Sequence, residues 1–206
     1  MVELVSRAKL PGVATLQREA PPDAGMAAPT DAGTTTAPDA GTAPAKPARK
    51  PAGDHGTHDG VRYVVYQDEV RAGGARPWRT NNPGSLDYHS QSGSLGSDGR
   101  LAIFPDYATG RKALEKLLKD NYASKTIRKA MEKYAPASDG NDTEAYIRFI
   151  EDHAGLKRGD GDTVKVSEHI DDVADAIETM EGTTAGDGYS CASSPPAWVK
   201  PLLGCP

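Results

Sequence analysis

Along the chain the apolar residues change period. In "VRYVVYQDEVRAGG", residues 61–74, β-branched and aromatic positions alternate with polar ones until Gly73-Gly74 closes the run. A period of two predicts a strand. After "WRTNNPGSL" (78–86) and the loop "SQSGSLGSDGR" (90–100), the short run "LAIFP" (101–105) predicts a second strand, stopped by Pro105. Beyond it the period becomes helical. Asp106 can cap a helix carrying Ala113, Leu114, Leu117, Leu118 and Tyr122. Ser124 or Thr126 opens a second, with Ile127, Ala130, Met131 and Tyr134 on its face. A third follows "SDGND", with Tyr146, Ile147, Phe149 and Ile150, and Asn141 with Glu144 reads as its capping box. A fourth carries Ile170, Val173, Ala174, Ile177 and Met180 and ends at Gly182. The expected fold is α+β and mainly helical: a small strand-and-turn region on a four-helix body, spanning residues 59–182. About 120 residues suffice for one core.

The two ends lack this patterning. Residues 19–58 are rich in Pro, Ala and Gly, and "PPDAG", "PTDAG" and "PDAG" recur at eight-residue intervals. Such a segment has little to bury and is expected to be a disordered linker. Residues 1–18 carry Val2, Leu4, Val5, Leu10, Val13 and Leu16, which suit either a short docking peptide or an untidy terminus. Residues 183–206 hold too much Gly and Pro for regular structure and are expected to form an irregular tail. That tail contains the chain's two cysteines, Cys191 and Cys205. They are either two exposed thiols or a disulfide closing a loop around Trp198.

Composition agrees with partial order. Of the 206 residues 37% are apolar and 6% aromatic, and the mean hydropathy is −0.58. A net charge of −5 provides no basic face for nucleic acid. No stretch reaches the length of a membrane span, and the first residues show no uninterrupted apolar signal region. No Gly-rich phosphate loop and no G-x-S-x-G elbow occurs, and the expected body has no cysteine, which removes a Cys-His nucleophile there. "SDGND" and "RGDGD" lack the ligand spacing of an EF-hand, and "HGTHDG" has no further His or Cys to complete a metal shell. Neither a metal nor an organic cofactor is implied.

Candidate chemistry gathers around "WRTNNPGSL". Pro83-Gly84 suits a type II turn, with glycine at the positive-φ corner. The turn is either plain geometry or a rigid holder for two ligand-facing amides. Asp68, Glu69, Asp87 and Asp98 lie nearby in sequence. Glycoside cleavage needs a shielded carboxylic acid to protonate the leaving oxygen and a second group to position water or sugar. Glu69 ends an apolar strand near Tyr63, Tyr66 and Trp78, whose rings could stack on sugar faces; it could equally be an ordinary strand-end charge. Asp98 and Asp87, in the loop after the turn, are candidates for the second carboxylate.

The pieces "WRTNNPGSL", "GSDGRLAIFPDYATGRKAL", "TIRKAMEKYAP" and "NDTEAYI" resemble, in that order, a group of phage-particle and injection-system-associated proteins with an Asn-Asn-Asn-Pro-Gly-Asn turn and a Phe-Pro helix start. Here Thr80 replaces the first Asn and Ser85 the last. The resemblance implies a particle component associated with peptidoglycan. A weaker resemblance runs to lysozyme-like N-acetylglucosaminidases, in which a catalytic glutamate precedes an Asn-Asn stretch and an aromatic strand leading into a helix. That likeness implies a lysozyme-like fold, Glu69 as general acid, and Asn81 and Asn82 shaping a sugar site beside Trp78 and Tyr66. Together the two imply a peptidoglycan-directed glycan-cleaving domain, made in a bacterial cytoplasm and carried out by a phage-like or contractile injection particle through the N-terminal segment. The rival is a non-catalytic structural or glycan-binding module of the same particle.

Overall fold

The computed structural model describes residues 49–206. The docking peptide and the linker as far as residue 48 lie outside the described residues. Of those described, 43% are helical and 15% in strands, a mixed α/β architecture in which helix outweighs strand. No described helix is long and apolar enough to cross a membrane.

The segment expected as one strand is a hairpin of β2 (Val61–Val65) and β3 (Val70–Ala72). The Tyr66 N–H donates to the Glu69 carbonyl at 2.7 Å, closing a tight turn through exposed Gln67 and Asp68. Two further strands complete an antiparallel sheet in the order β1-β2-β3-β6, with β1 at His55–His58 and β6 at Asp187–Tyr189. Both correct the sequence boundaries, because β1 falls within the expected linker and β6 within the expected irregular tail. Each is largely exposed and is held by the backbone ladder, so it leaves no apolar alternation to read. On one sheet face Val65, Val70 and Tyr63 pack under Trp198, Val199 and Leu203 of the tail. On the other, Val64 and Tyr66 pack on Ile103.

A short helix, α1 (Arg76–Thr80), follows the sheet, and a small hairpin pairs β4 (Gly96–Ser97) with β5 (Ala102–Ile103). The four expected helices are all present. α2 (Tyr107–Leu117) is capped by Asp106, which accepts from the Thr109 N–H at 2.7 Å, and it runs on into a π turn at Leu118–Tyr122. α3 (Ile127–Tyr134) is capped by Thr126. α4 (Thr143–His153) is capped by Asp142, which accepts from the Ala145 N–H at 2.8 Å. The expected Asn141–Glu144 capping box is not formed, since the Asn141 amide donates instead to the Pro136 carbonyl. α5 (Ile170–Glu181) closes at Gly182 with φ 76°. Their apolar faces meet in one core that includes Leu114, Leu118, Ile127, Met131, Ile147, Ile150 and Ile177. A last helix, α6 (Lys200–Leu203), lies in the tail, and Cys191 is disulfide-bonded to Cys205.

The Asn-Asn-Pro-Gly turn lies inside this structure. Residues 81–84 are all buried. The Ser85 N–H donates to the Asn82 carbonyl at 2.9 Å, with Pro83 and Gly84 at the corners. The left-handed residues are Asn81 (φ 52°) and Ser85 (φ 48°), and Gly84 is not among the positive-φ glycines. The expected type II turn is therefore not formed. A Cβ at Gly84 would stand 2.8 Å from Leu114 Cδ1, so a side chain there would displace Leu114. The closest approach is at Gly110 of α2, where a Cβ would lie 1.8 Å from the Asn81 carbonyl oxygen. Alanine in place of glycine inside a helix ordinarily stabilises by about 1 kcal/mol. Gly110→Ala is expected to reverse that sign and cost about 2 kcal/mol or more by overpacking the seam. Urea unfolding checks this; equal or greater stability in the variant would refute the seam.

Candidate functional site

β3 alternates between two environments. Val70 and Ala72 are buried, while Arg71 points from the other face toward α1 and the turn. Its Nη1 donates to the Trp78 carbonyl at 2.8 Å and to Asn81 Oδ1 at 2.6 Å. Its Nε donates to Glu69 Oε2 at 3.3 Å. The guanidinium carbon lies 5.0 Å from the Trp78 ring centre and 5.3 Å from that of Tyr66, within cation–π range of both. Four of the residues expected from sequence, Tyr66, Glu69, Trp78 and Asn81, therefore surround one arginine that the sequence reading did not single out. The available signal was the Glu69-x-Arg71 spacing, which puts opposite charges on one face of an extended chain.

Each member of the cluster is fixed by its backbone setting. Glu69 ends the hairpin turn rather than lying within a strand, and its side chain is 38% exposed against 21% for Arg71. Asn81 is the left-handed C-cap of α1, a conformation that asparagine tolerates better than most residues, and its amide nitrogen donates to the Phe104 carbonyl at 3.2 Å. The Tyr66 hydroxyl donates to the Arg79 carbonyl at 2.7 Å. Burial pushes the Tyr66 pKa well above its ordinary value, with the Arg71 charge opposing and the Glu69 charge assisting. Trp78 is half-buried, so the rim open to solvent consists of Glu69, Arg71 and part of the indole.

Asp98, Asp87 and Asn82 are placed otherwise. Asp98 forms a two-pronged ion pair with Arg76, at 2.6 Å to Nε and 2.5 Å to Nη2, and also accepts from the Leu101 N–H at 3.0 Å. Burial raises its pKa, but the Arg76 hydrogen bond and charge and the backbone N–H groups outweigh this and hold it below the usual carboxylate value. Asp87 is exposed and paired with Arg100 at 2.8 Å. Neither pairs with Arg71, although the Asp98 charge is felt at Tyr66. Asn82 corrects the sequence expectation most clearly. Its amide nitrogen donates to the Leu86 and Ala102 carbonyls at 2.9 and 3.0 Å, its oxygen accepts from the Leu86 N–H at 2.9 Å, and it has no exposed surface. Both amide protons are used and the side chain is wholly buried, which keeps it from a ligand.

His58 of the "HGTHDG" stretch stacks on Trp198 with ring centres 4.6 Å apart. Among the described residues no three His, Cys, Asp or Glu side chains gather as a metal-ligand set. An open groove of about 570 Å³ lies between the end of α3 and the start of α4, lined by Glu132, Asn141, Asp142 and Glu144 among others, and no candidate site residue lines it. Compared with known proteins, the chain matches no family model and no curated relative.

Two outcomes follow from this geometry. Asn82→Ala leaves the Ala102 carbonyl and the Leu86 N–H unpaired in the interior, while the Leu86 carbonyl keeps the Ala102 N–H, and is expected to cost about 3 kcal/mol of stability in urea unfolding. A loss below about 0.5 kcal/mol would show that these hydrogen bonds do not hold the turn in place. The Asp98–Arg76 pair contributes stability that is fully present above the unfolded carboxylate pKa of about 3.9 and is lost as pH falls through the lower folded value. The stability gap between wild type and Asp98→Asn is therefore expected to be widest near neutrality and to shrink below about pH 4. A gap constant from pH 6 to pH 2 would show that the charge contributes nothing.

Proposed function

We propose that this chain is a non-catalytic module that binds peptidoglycan glycan strands for a phage-like or contractile injection particle, with Glu69, Arg71 and Trp78 facing the ligand. The observation that carries this reading is that each carboxylate considered for chemistry has its own arginine: Glu69 with Arg71, Asp98 with Arg76 and Asp87 with Arg100. A glycosidase needs a shielded acid and a second carboxylate flanking one bond. Three separate ion pairs favour holding over cleaving. A half-buried indole beside a carboxylate and a guanidinium suits a sugar, because the ring takes the apolar face and the charges take hydroxyls. The particle and the wall come from the ordered resemblance around "WRTNNPGSL", and the Cys191–Cys205 bond supports a working place outside a reducing cytoplasm.

One observation favours the enzymatic reading of a lysozyme-like glycoside hydrolase. Glu69 Oε1 accepts no hydrogen bond among the described residues, and the side chain is 38% exposed. The deciding experiment incubates the full chain with purified peptidoglycan from pH 4 to 8, measuring co-sedimentation and soluble muropeptides by mass spectrometry. Binding without release is expected, with Glu69→Gln weakening retention a few-fold. Muropeptide release by wild type that vanishes in Glu69→Gln would replace the module with the hydrolase. Absence of both retention and release would remove peptidoglycan as the ligand.

A further inference from the structure

Beyond α5 the chain returns to the sheet. β6 pairs with β3 through Val70↔Tyr189, Arg71↔Gly188 and Ala72↔Asp187. Gly188 is therefore the residue opposite Arg71, and a Cβ there would lie 2.6 Å from Glu69 Oε1. The Glu69 carboxylate thus rests against β6, and that strand forms the floor of the Glu69–Arg71 pair. Just beyond it stands Cys191, bonded to Cys205 across 14 residues. Inside this loop Val199 and Leu203 pack on Val65 and Val70. Trp198 lies flat on His58 at 4.6 Å and edge-on to Tyr189 at 6.1 Å.

The pieces of this tail are too small to stay in place alone. β6 has three residues, two of them exposed, and α6 has four. Elements this short are marginal without tertiary or covalent support. The disulfide supplies a covalent tie, and it can be reached: Cys191 is exposed, whereas Cys205 is buried.

We propose that residues 187–206 form a redox-released strap that backs the Glu69–Arg71 pair through β6 while Cys191 and Cys205 are joined. A thiol reductant attacks the exposed Cys191 sulfur, and Cys205 leaves as a thiolate that takes a proton. A second reductant thiol resolves the mixed disulfide, giving two protein thiols and one reductant disulfide. The strap then detaches from Val65 and Val70, and β3 loses its neighbour on the Glu69 side. Its meaning as a control on ligand access rests on the glycan-binding reading above; the release itself does not.

Hydrogen exchange of the full chain, oxidised and after complete reduction by dithiothreitol, reads the strap directly, with alkylation mass confirming both thiols. On reduction, uptake over residues 187–206 is expected to accelerate on the order of tenfold or more, and residues 66–72 to follow, while α2 to α5 keep their protection. Cys205→Ser should show the fast pattern without reductant. Unchanged uptake with both thiols alkylated would overturn the strap. So would uptake rising equally through α2 to α5, which would make the disulfide a general stabiliser. Peptidoglycan plays no part in this readout, so a chain that never binds glycan loses its proposed function and leaves the strap to be judged by exchange alone.

Discussion

The buried turn at residues 81–84 is the constraint on which the remaining structure depends. Asn82 has no exposed surface, and its single amide closes hydrogen bonds to Leu86 on one side and Ala102 on the other. The turn backbone lies so close to α2 that only glycine fits at position 110, and the Tyr134 hydroxyl of α3 donates to the Gly84 carbonyl. Strands, turn and helices therefore share one polar seam. A buried amide with unpaired partners is costly, so this seam forms whole or not at all.

A second seam runs from the sheet to α1 through two arginines. Arg71 joins β3 to Trp78 and Asn81, and Arg79 returns from α1 to the Gly73 and Gly74 carbonyls at 2.7 and 3.1 Å. Arg79 is 6% exposed, and its burial lowers its pKa from the ordinary arginine value, with the Asp98 charge opposing. Of these two arginines, Arg71 also occupies the Glu69 carboxylate. The tail adds a third layer, in which a covalent bond replaces the apolar area that so short a segment cannot supply.

Sequence patterning was strongest where one side chain per turn faces the core. The four helices, the caps at Asp106 and Thr126 and the stop at Gly182 were legible because burial and end-capping leave local signatures. The third helix shows the margin of that signal: in "NDT" both Asn141 and Asp142 can cap, and the Asn141 amide is drawn away by the Pro136 carbonyl. Of the candidate site, Tyr66, Glu69, Trp78 and Asn81 were legible as neighbours of the turn. Their centre, Arg71, was not, because an arginine in a strand reads as a solvent-facing charge until the opposing layer is present.

The sequence by itself determined the helical body, the extended apolar alternation that begins at Val61 and the special status of "WRTNNPGSL", since each follows from residue period or turn-forming residue types within a dozen residues. Tertiary structure decided the rest. Whether Asn82 faces a ligand or the interior depends on strand β5, twenty residues away, whose Ala102 carbonyl claims the amide. Whether Glu69 is a free acid depends on Arg71 and on β6, which returns more than a hundred residues later. Whether two cysteines are loose thiols or a staple depends on the sheet face that holds Val199 and Leu203 in place. Polar side chains take their roles from the partners that desolvate them, and those partners are distant in sequence and adjacent only after folding.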